Sequence, residues 1–287
     1  MSTTTLETFT HATLGRTGRQ VHRLGISASY GLDAAGVEHA VERGVNYLYW
    51  GSMRTAGFGE GIRNAVARHG REGLTVVIQS YARFGFTLGP SLCLALRRLK
   101  LDHADVLLLG WWNDAPPPRI IDAAVRLRDK GLVKHLAPST HERPLIARLA
   151  PAGPIDIYHV RYNAAHRGAE REVFGQLPEA PARPGIVAFT ATRWGSLMRP
   201  VSGGAPDARL PTAADCYRFV LSNPAVDLVM TGPRDLADVR GALDALERGP
   251  MDADELAWIR AHGDRVHADA SRAGPLSPSR WRSASAH

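Results

Sequence analysis

Apolar positions recur in short runs, and most runs are followed by an amphipathic stretch. The β-rich runs are Arg23–Ala28, Tyr47–Gly51, Leu74–Tyr81, Ala104–Trp111, Val133–Thr140, Asp156–Asn163, Gly185–Ala191 and Val226–Gly232, and each is expected to be a strand. Among the helix candidates, Asp33–Arg43 opens on an aspartate cap and stops at Gly44. Thr87–Leu99 carries Pro90 near its start and Leu92, Leu96 and Leu99 at helical spacing. Pro118–Lys130 stops at Gly131, and Asp235–Arg248 stops at Gly249. Strands alternating with helices predict a parallel sheet, and eight such units in this length predict a (β/α)8 TIM barrel. A doubly wound sheet is the alternative. It calls for a glycine fingerprint after the first strand, and Gly25-Ile-Ser-Ala-Ser-Tyr-Gly31 contains no GxGxxG. Ahead of the first strand, the glycine-bounded polar turn within Leu14–Val21 predicts an N-terminal β-hairpin that plugs the N-terminal mouth of the barrel.

Composition narrows the class. The 287 residues are 44% apolar and 22% charged, which a folded globular chain requires. No composition break marks a second domain, so residues 1–270 are expected to form one barrel domain. Ser271–His287, rich in Ser and Pro, with Arg272, Arg280 and Arg282 and no acid, is expected to be a basic, disordered tail. Cys93 and Cys216 cannot build a disulfide framework, which points to a reducing compartment. Met1–Glu7 has neither a basic nor an apolar signal region, and Val106–Trp112 is too short to span a bilayer. A cytoplasmic location with no membrane partner is expected. The net charge of +7 comes from scattered arginines, with lysine only at Lys100, Lys130 and Lys134. That scatter argues against nucleic acid and for a small-molecule partner.

The hairpin followed by Arg23-Leu-Gly-Ile resembles the opening of the aldo-keto reductase superfamily. Gly44-Val-Asn-Tyr47 resembles its lead-in to the second strand, and Leu96-Arg-Arg-Leu99 with Asp102 and Asp105 its third helix and fourth strand. Tyr162-Asn163 with Arg167 and Glu170 resembles the sixth unit, and Phe219–Pro224 through Gly232 the segment around the eighth strand. The resemblance implies a (β/α)8 barrel binding an extended nicotinamide cofactor, NADP or NAD, over its C-terminal face. It also implies a catalytic Asp, Tyr, Lys and His, and all four are replaced. The matching positions are Tyr49, Arg54, Tyr81 and Gly110. The lysine count supports this independently, because all three lysines lie at helix C-termini or a strand start, on the N-terminal side of a barrel. The implied cofactor positions are Ser139 and Thr140, His159, the stacking aromatic Phe189, and Gly232 with Arg234. Asp235 and Asp238 lie beside Arg234 and oppose a phosphate there.

Strand alternation turns Tyr47 and Tyr49, Gln79 and Tyr81, Gly110 and Trp112, and His159, Arg161 and Asn163 to common faces. Two phenols then stand where the family keeps its ion pair, and Gly110 leaves the space of an imidazole. Tyr81 or Tyr49 is the candidate proton donor, with Arg54 favouring the phenolate; the alternative is that the tyrosines fill the volume freed at Gly110. Trp50, Gly110, Trp111, Trp112 and Trp194, at or past strand ends, are the candidate substrate pocket. No metal site is expected, because His135, His141 and His159 have no carboxylate partner at ligand spacing. Ser52, Ser80 and Ser139 form no nucleophile elbow, and Asp114 reads as a solvated loop carboxylate. The leading reading is an aldo-keto-reductase-like oxidoreductase with a non-standard active site, acting on a fairly apolar small molecule. The alternative is a non-redox enzyme or a non-catalytic ligand-binding barrel of the same superfamily.

Overall fold

The computed structural model describes residues 9–51, 54–112, 114–140, 142–150, 153–202 and 208–272. The hairpin pairs β1 (His11–Thr13) antiparallel with β2 (Gln20–His22). Eight parallel strands follow: β3 (Leu24–Ser27), β4 (Tyr47–Trp50), β5 (Thr75–Ser80), β6 (Ala104–Leu109), β7 (Val133–Thr140), β8 (Ile157–Arg161), β9 (Gly185–Phe189) and β10 (Leu228–Thr231). They close in chain order, with β10 pairing β3. The connecting helices are α1 (Ala34–Glu42), α2 (Ala56–His69), α3 (Gly85–Leu99), α4 (Pro118–Asp129), α5 (Arg143–Leu149), α6 (Gly168–Glu172), α7 (Ala213–Leu221) and α8 (Leu236–Glu247), and α9 (Ala253–Arg272) comes last. The expected barrel and hairpin are both present. Ser271 and Arg272, assigned to the tail, instead end α9, and 273–287, with Ser52 and His141, lie outside the described residues.

Period-two alternation builds two cores. One set of strand positions, including Leu48, Trp50, Val76, Ile78 and Leu107, packs outward against the helices. The other set, including Tyr47, Val77, Val106, Leu108, Ala137, Ile157, Val187 and Leu228, fills the barrel. Leu14 and Val21 of the hairpin are fully buried in that inner core, which closes its N-terminal end. Gly15 makes this approach possible. Its φ is +43°, and a Cβ there would strike the backbone of Pro184 and Gly185.

The hairpin is held electrostatically at Asp105, which is fully buried near the start of β6. Arg71 reaches its carboxylate at 2.6 Å, and Arg19 of the hairpin and Lys134 of β7 at 3.4 Å each. Its Oδ2 also accepts from the Val76 amide at 2.8 Å. Lys134 is therefore committed to the end of the barrel opposite the strand C-termini. Lys100 and Lys130 are the C-caps of α3 and α4.

Candidate active site at the barrel mouth

The inward face of β4 carries Tyr47 and, one layer higher, Tyr49. Tyr47 is fully buried, and its hydroxyl shares a 2.9 Å hydrogen bond with His159 Nε2 from β8. Desolvation raises the phenol and lowers the imidazole to about 3, so both are neutral. The Tyr49 ring lies 6.4 Å from that of His159, and its hydroxyl donates to Gln79 Oε1. Arg54 donates to the backbone carbonyl of the same Gln79. Burial lowers the Arg54 pKa, as does Arg98, while Tyr49 raises it, so arginine and phenol sense each other. Tyr49 and Arg54 thus converge on one residue that received no role from the sequence.

Tyr81 follows β5 and is 48% exposed. Its ring packs over Gly110. A Cβ at Gly110 would collide with the Gln79 amide and approach Tyr81 Cε1 to 2.8 Å. The space expected at Gly110 is therefore taken, by the Gln79 amide as well as by a phenol ring. A cavity of about 410 Å³ opens beside these groups, and Arg54, Gln79, Ser80, Tyr81, Thr87 and Ser91 are among its walls.

The tryptophans separate. Trp50 is 3% exposed and faces the helical layer, where its Nε1 donates to the Thr55 carbonyl at 3.0 Å; it does not reach the mouth. Trp112 packs partly buried against the same outer core. Trp111 is 51% exposed at the rim, with Phe84 and Phe86 also exposed and stacked at 5.7 Å. Trp194 is half-buried in the segment after β9, at a left-handed φ of 51°. Arg83, overlooked in the sequence, staples two loops: it donates to the carbonyls of Gly110 (2.9 Å) and Trp111 (2.8 Å) and lies 4.3 Å over the Trp112 ring. It helps hold Trp111 at a left-handed φ of 52°.

The residues implied for the cofactor lie on β7–β10 and just beyond. Ser139 Oγ accepts from the Trp111 amide at 3.2 Å, and Thr140 Oγ1 from the Glu142 amide at 2.9 Å, so each hydroxyl keeps its proton to donate. Phe189 packs, partly buried, on the inner core. A Cβ at Gly232 would run into the Tyr30 ring. Arg234 is held in a two-armed pair with Asp238, at 2.8 and 3.2 Å. Among the described residues no cluster of three metal-ligating side chains occurs, and no helix is long and apolar enough to cross a membrane. Both cysteines are free.

Three histidines make stability depend on pH. Burial takes His159 to about 3 and His22 to about 4. Burial, then Arg161, Arg193, His267 and Arg143, takes His166 to about 3. The unfolded chain returns each to its ordinary 6.5 and binds more protons below it. The stabilisation is therefore complete above that value and lost as pH falls toward the folded values, by about 1.4 kcal/mol per pH unit for each fully neutral imidazole. Urea denaturation at neutral pH and near pH ~5 should give a lower midpoint in acid; equal midpoints would mean that solvent reaches these rings.

No family model matches the sequence, and no curated protein matches it. Solved structures do match. The holo form of aldo-keto reductase AKR11C1 from Bacillus halodurans is 19% identical, with 88% of this chain and 95% of that chain covered at a TM-score of 0.73. An aldo/keto reductase from Klebsiella pneumoniae in complex with NADP and acetate is also 19% identical, with 89% and 95% covered at a TM-score of 0.72. The chain has the fold of these aldo-keto reductases.

Proposed function

We propose that the protein is an aldo-keto-reductase-like oxidoreductase with a non-standard active site, acting in the cytoplasm on a small molecule rather than on nucleic acid. The observation that carries this reading is the convergence of Tyr49, Arg54 and Gln79 beside a cavity also bordered by Tyr81, at the C-terminal ends of barrel strands. Tyr81, or Tyr49 with Arg54 near its phenol, donates the proton in place of the missing Tyr, Lys and Asp. Trp111, exposed just past the end of β6, favours an apolar portion of substrate.

A nicotinamide is the cofactor this reading calls for, and when bound it supplies the hydride. The hydroxyls of Ser139 and Thr140 and the ring of Phe189 suit its carboxamide and ring. The far end fits less well, since Arg234 already has a carboxylate partner in Asp238. Little preference for NADPH over NADH is therefore expected. Titration of the protein with each cofactor, followed by tryptophan fluorescence, tests both statements. Saturable binding of both with similar affinity is the expected result. Asp238→Asn should then strengthen NADPH binding by up to about tenfold while leaving NADH unchanged. No saturable binding of either would remove the redox reading.

A second reading is a ligand-binding barrel without hydride chemistry. The Tyr47–His159 bond supports it, because the imidazole implied for the cofactor already has a partner inside the barrel. Ligand binding with no nicotinamide binding is what it requires.

A further inference from the structure

Positive charge accumulates at the C-terminal ends of β7–β9, at residues the proposed chemistry does not use. Arg161 ends β8 on the same face as His159, and its register partner is Phe189 of β9. Close enough to act on it are Arg143 at the start of α5 and Arg193 after β9. His166, two residues before α6, is acted on by the same three guanidiniums and meets the ring of His267 from α9 edge-on at 5.4 Å. Among the described residues, Glu142 and Glu172 are the acids that bear on Arg161 and Arg143. Glu172 is used in a two-armed pair with Arg143, at 2.8 and 3.2 Å. Glu142 favours the Arg161 charge, yet the half-buried Arg161 keeps a buried Nε with no hydrogen-bond partner among the described residues.

A guanidinium N–H buried without an acceptor costs stability, and neighbouring cations add to the cost. Burial, Arg143 and Arg193 together hold Arg161 below the ordinary arginine range. An oxyanion seated here would supply the acceptors and relieve the repulsion in one step. The planar fork of arginine matches the paired oxygens of phosphate or carboxylate. The place is also right, because ligands of this barrel class bind at the C-terminal face.

We propose that Arg161, with the guanidiniums of Arg143 and Arg193 acting on it, binds the oxyanionic group, phosphate or carboxylate, of a small-molecule ligand. This site requires no hydride chemistry and stands under either reading of the cavity. The test uses the full-length protein without nicotinamide. Inorganic phosphate and, separately, succinate are titrated at constant ionic strength against sodium chloride, and the thermal midpoint is recorded. A saturable rise with at least one of them is expected, and the anion that produces it identifies the group. Arg161→Gln should weaken that binding by about tenfold or more. Arg161→Lys, which keeps the charge and loses the fork, should fall between. The proposal is overturned if neither anion exceeds the chloride control. It is equally overturned if Arg161→Gln binds like the unaltered protein, or, should that variant not fold, if Arg161→Lys does. Because nicotinamide is absent throughout, failure here is separate from failure of the cofactor titration.

Discussion

Asp105→Ala should cost about 3–5 kcal/mol, a large part of the roughly 5–15 kcal/mol that holds a domain of this kind together. The carboxylate is fully buried and is the shared partner of Arg19, Arg71 and Lys134. Removing it leaves these cations facing one another with no anion, and strands the Val76 amide that donates to Oδ2. The damage should spread to the hairpin. Arg19 also donates to Thr75 Oγ1 at 3.0 Å and the Leu74 carbonyl at 2.8 Å, so it ties Leu14 and Val21 into the barrel floor. Asp105→Asn keeps an acceptor for Val76 and loses only the charge, so it should be less damaging. Urea denaturation of the two variants measures the difference. A loss below about 1 kcal/mol for the alanine variant would mean that the three cations are solvated.

The barrel was legible because alternation and turn chemistry agree along the chain. Val133–Thr140 matches its strand residue for residue, and Asp33 caps α1 by accepting from the Gly36 amide. The apolar run Ala104–Trp111 outlasts its strand by two residues, because β6 ends at Leu109 and Trp111 turns left-handed. The helix Ala56–His69 carries a weak sequence signal, because Gly57, Gly59 and Gly61 lower its propensity. Two of them serve packing, since a Cβ on Gly61 would strike Val37 and one on Gly59 would sit 3.3 Å from Trp50. Trp50 was misplaced for a different reason. Its nearness to a strand end suggested the mouth, whereas its parity with Leu48 sends it outward. The Gly110 space was misread because a matched position says what is missing, not which neighbours move in. Here the neighbours are Gln79 and Tyr81. The Tyr47–His159 bond joins residues 112 apart in sequence, and no local pattern announces it.

Tyr81→Phe should lower turnover by about 10²-fold or more while the fold survives, provided Tyr81 is the proton donor. Its position favours it over Tyr49: it borders the cavity and is half exposed, whereas the Tyr49 hydroxyl is already committed to Gln79 Oε1. The substitution removes one hydroxyl and keeps the ring that packs on Gly110, so the thermal midpoint should hardly move. Tyr81→Ala removes the ring as well, and part of the cover over Gly110 goes with it. That variant should lose activity and, because half of the ring is already exposed, only about 1 kcal/mol of stability. The split between the two variants separates proton donation from packing. A ring that only fills volume leaves Tyr81→Phe fully active, and Tyr81→Ala alone is impaired. Turnover is read as oxidation of NADH or NADPH with a panel of carbonyl compounds. Should Tyr81→Phe retain full rate, the donor is Tyr49, and Tyr49→Phe must then show the loss, with Arg54→Gln shifting the pH profile because the arginine acts on that phenol. Full activity in both phenylalanine variants would remove the phenols from the chemistry altogether.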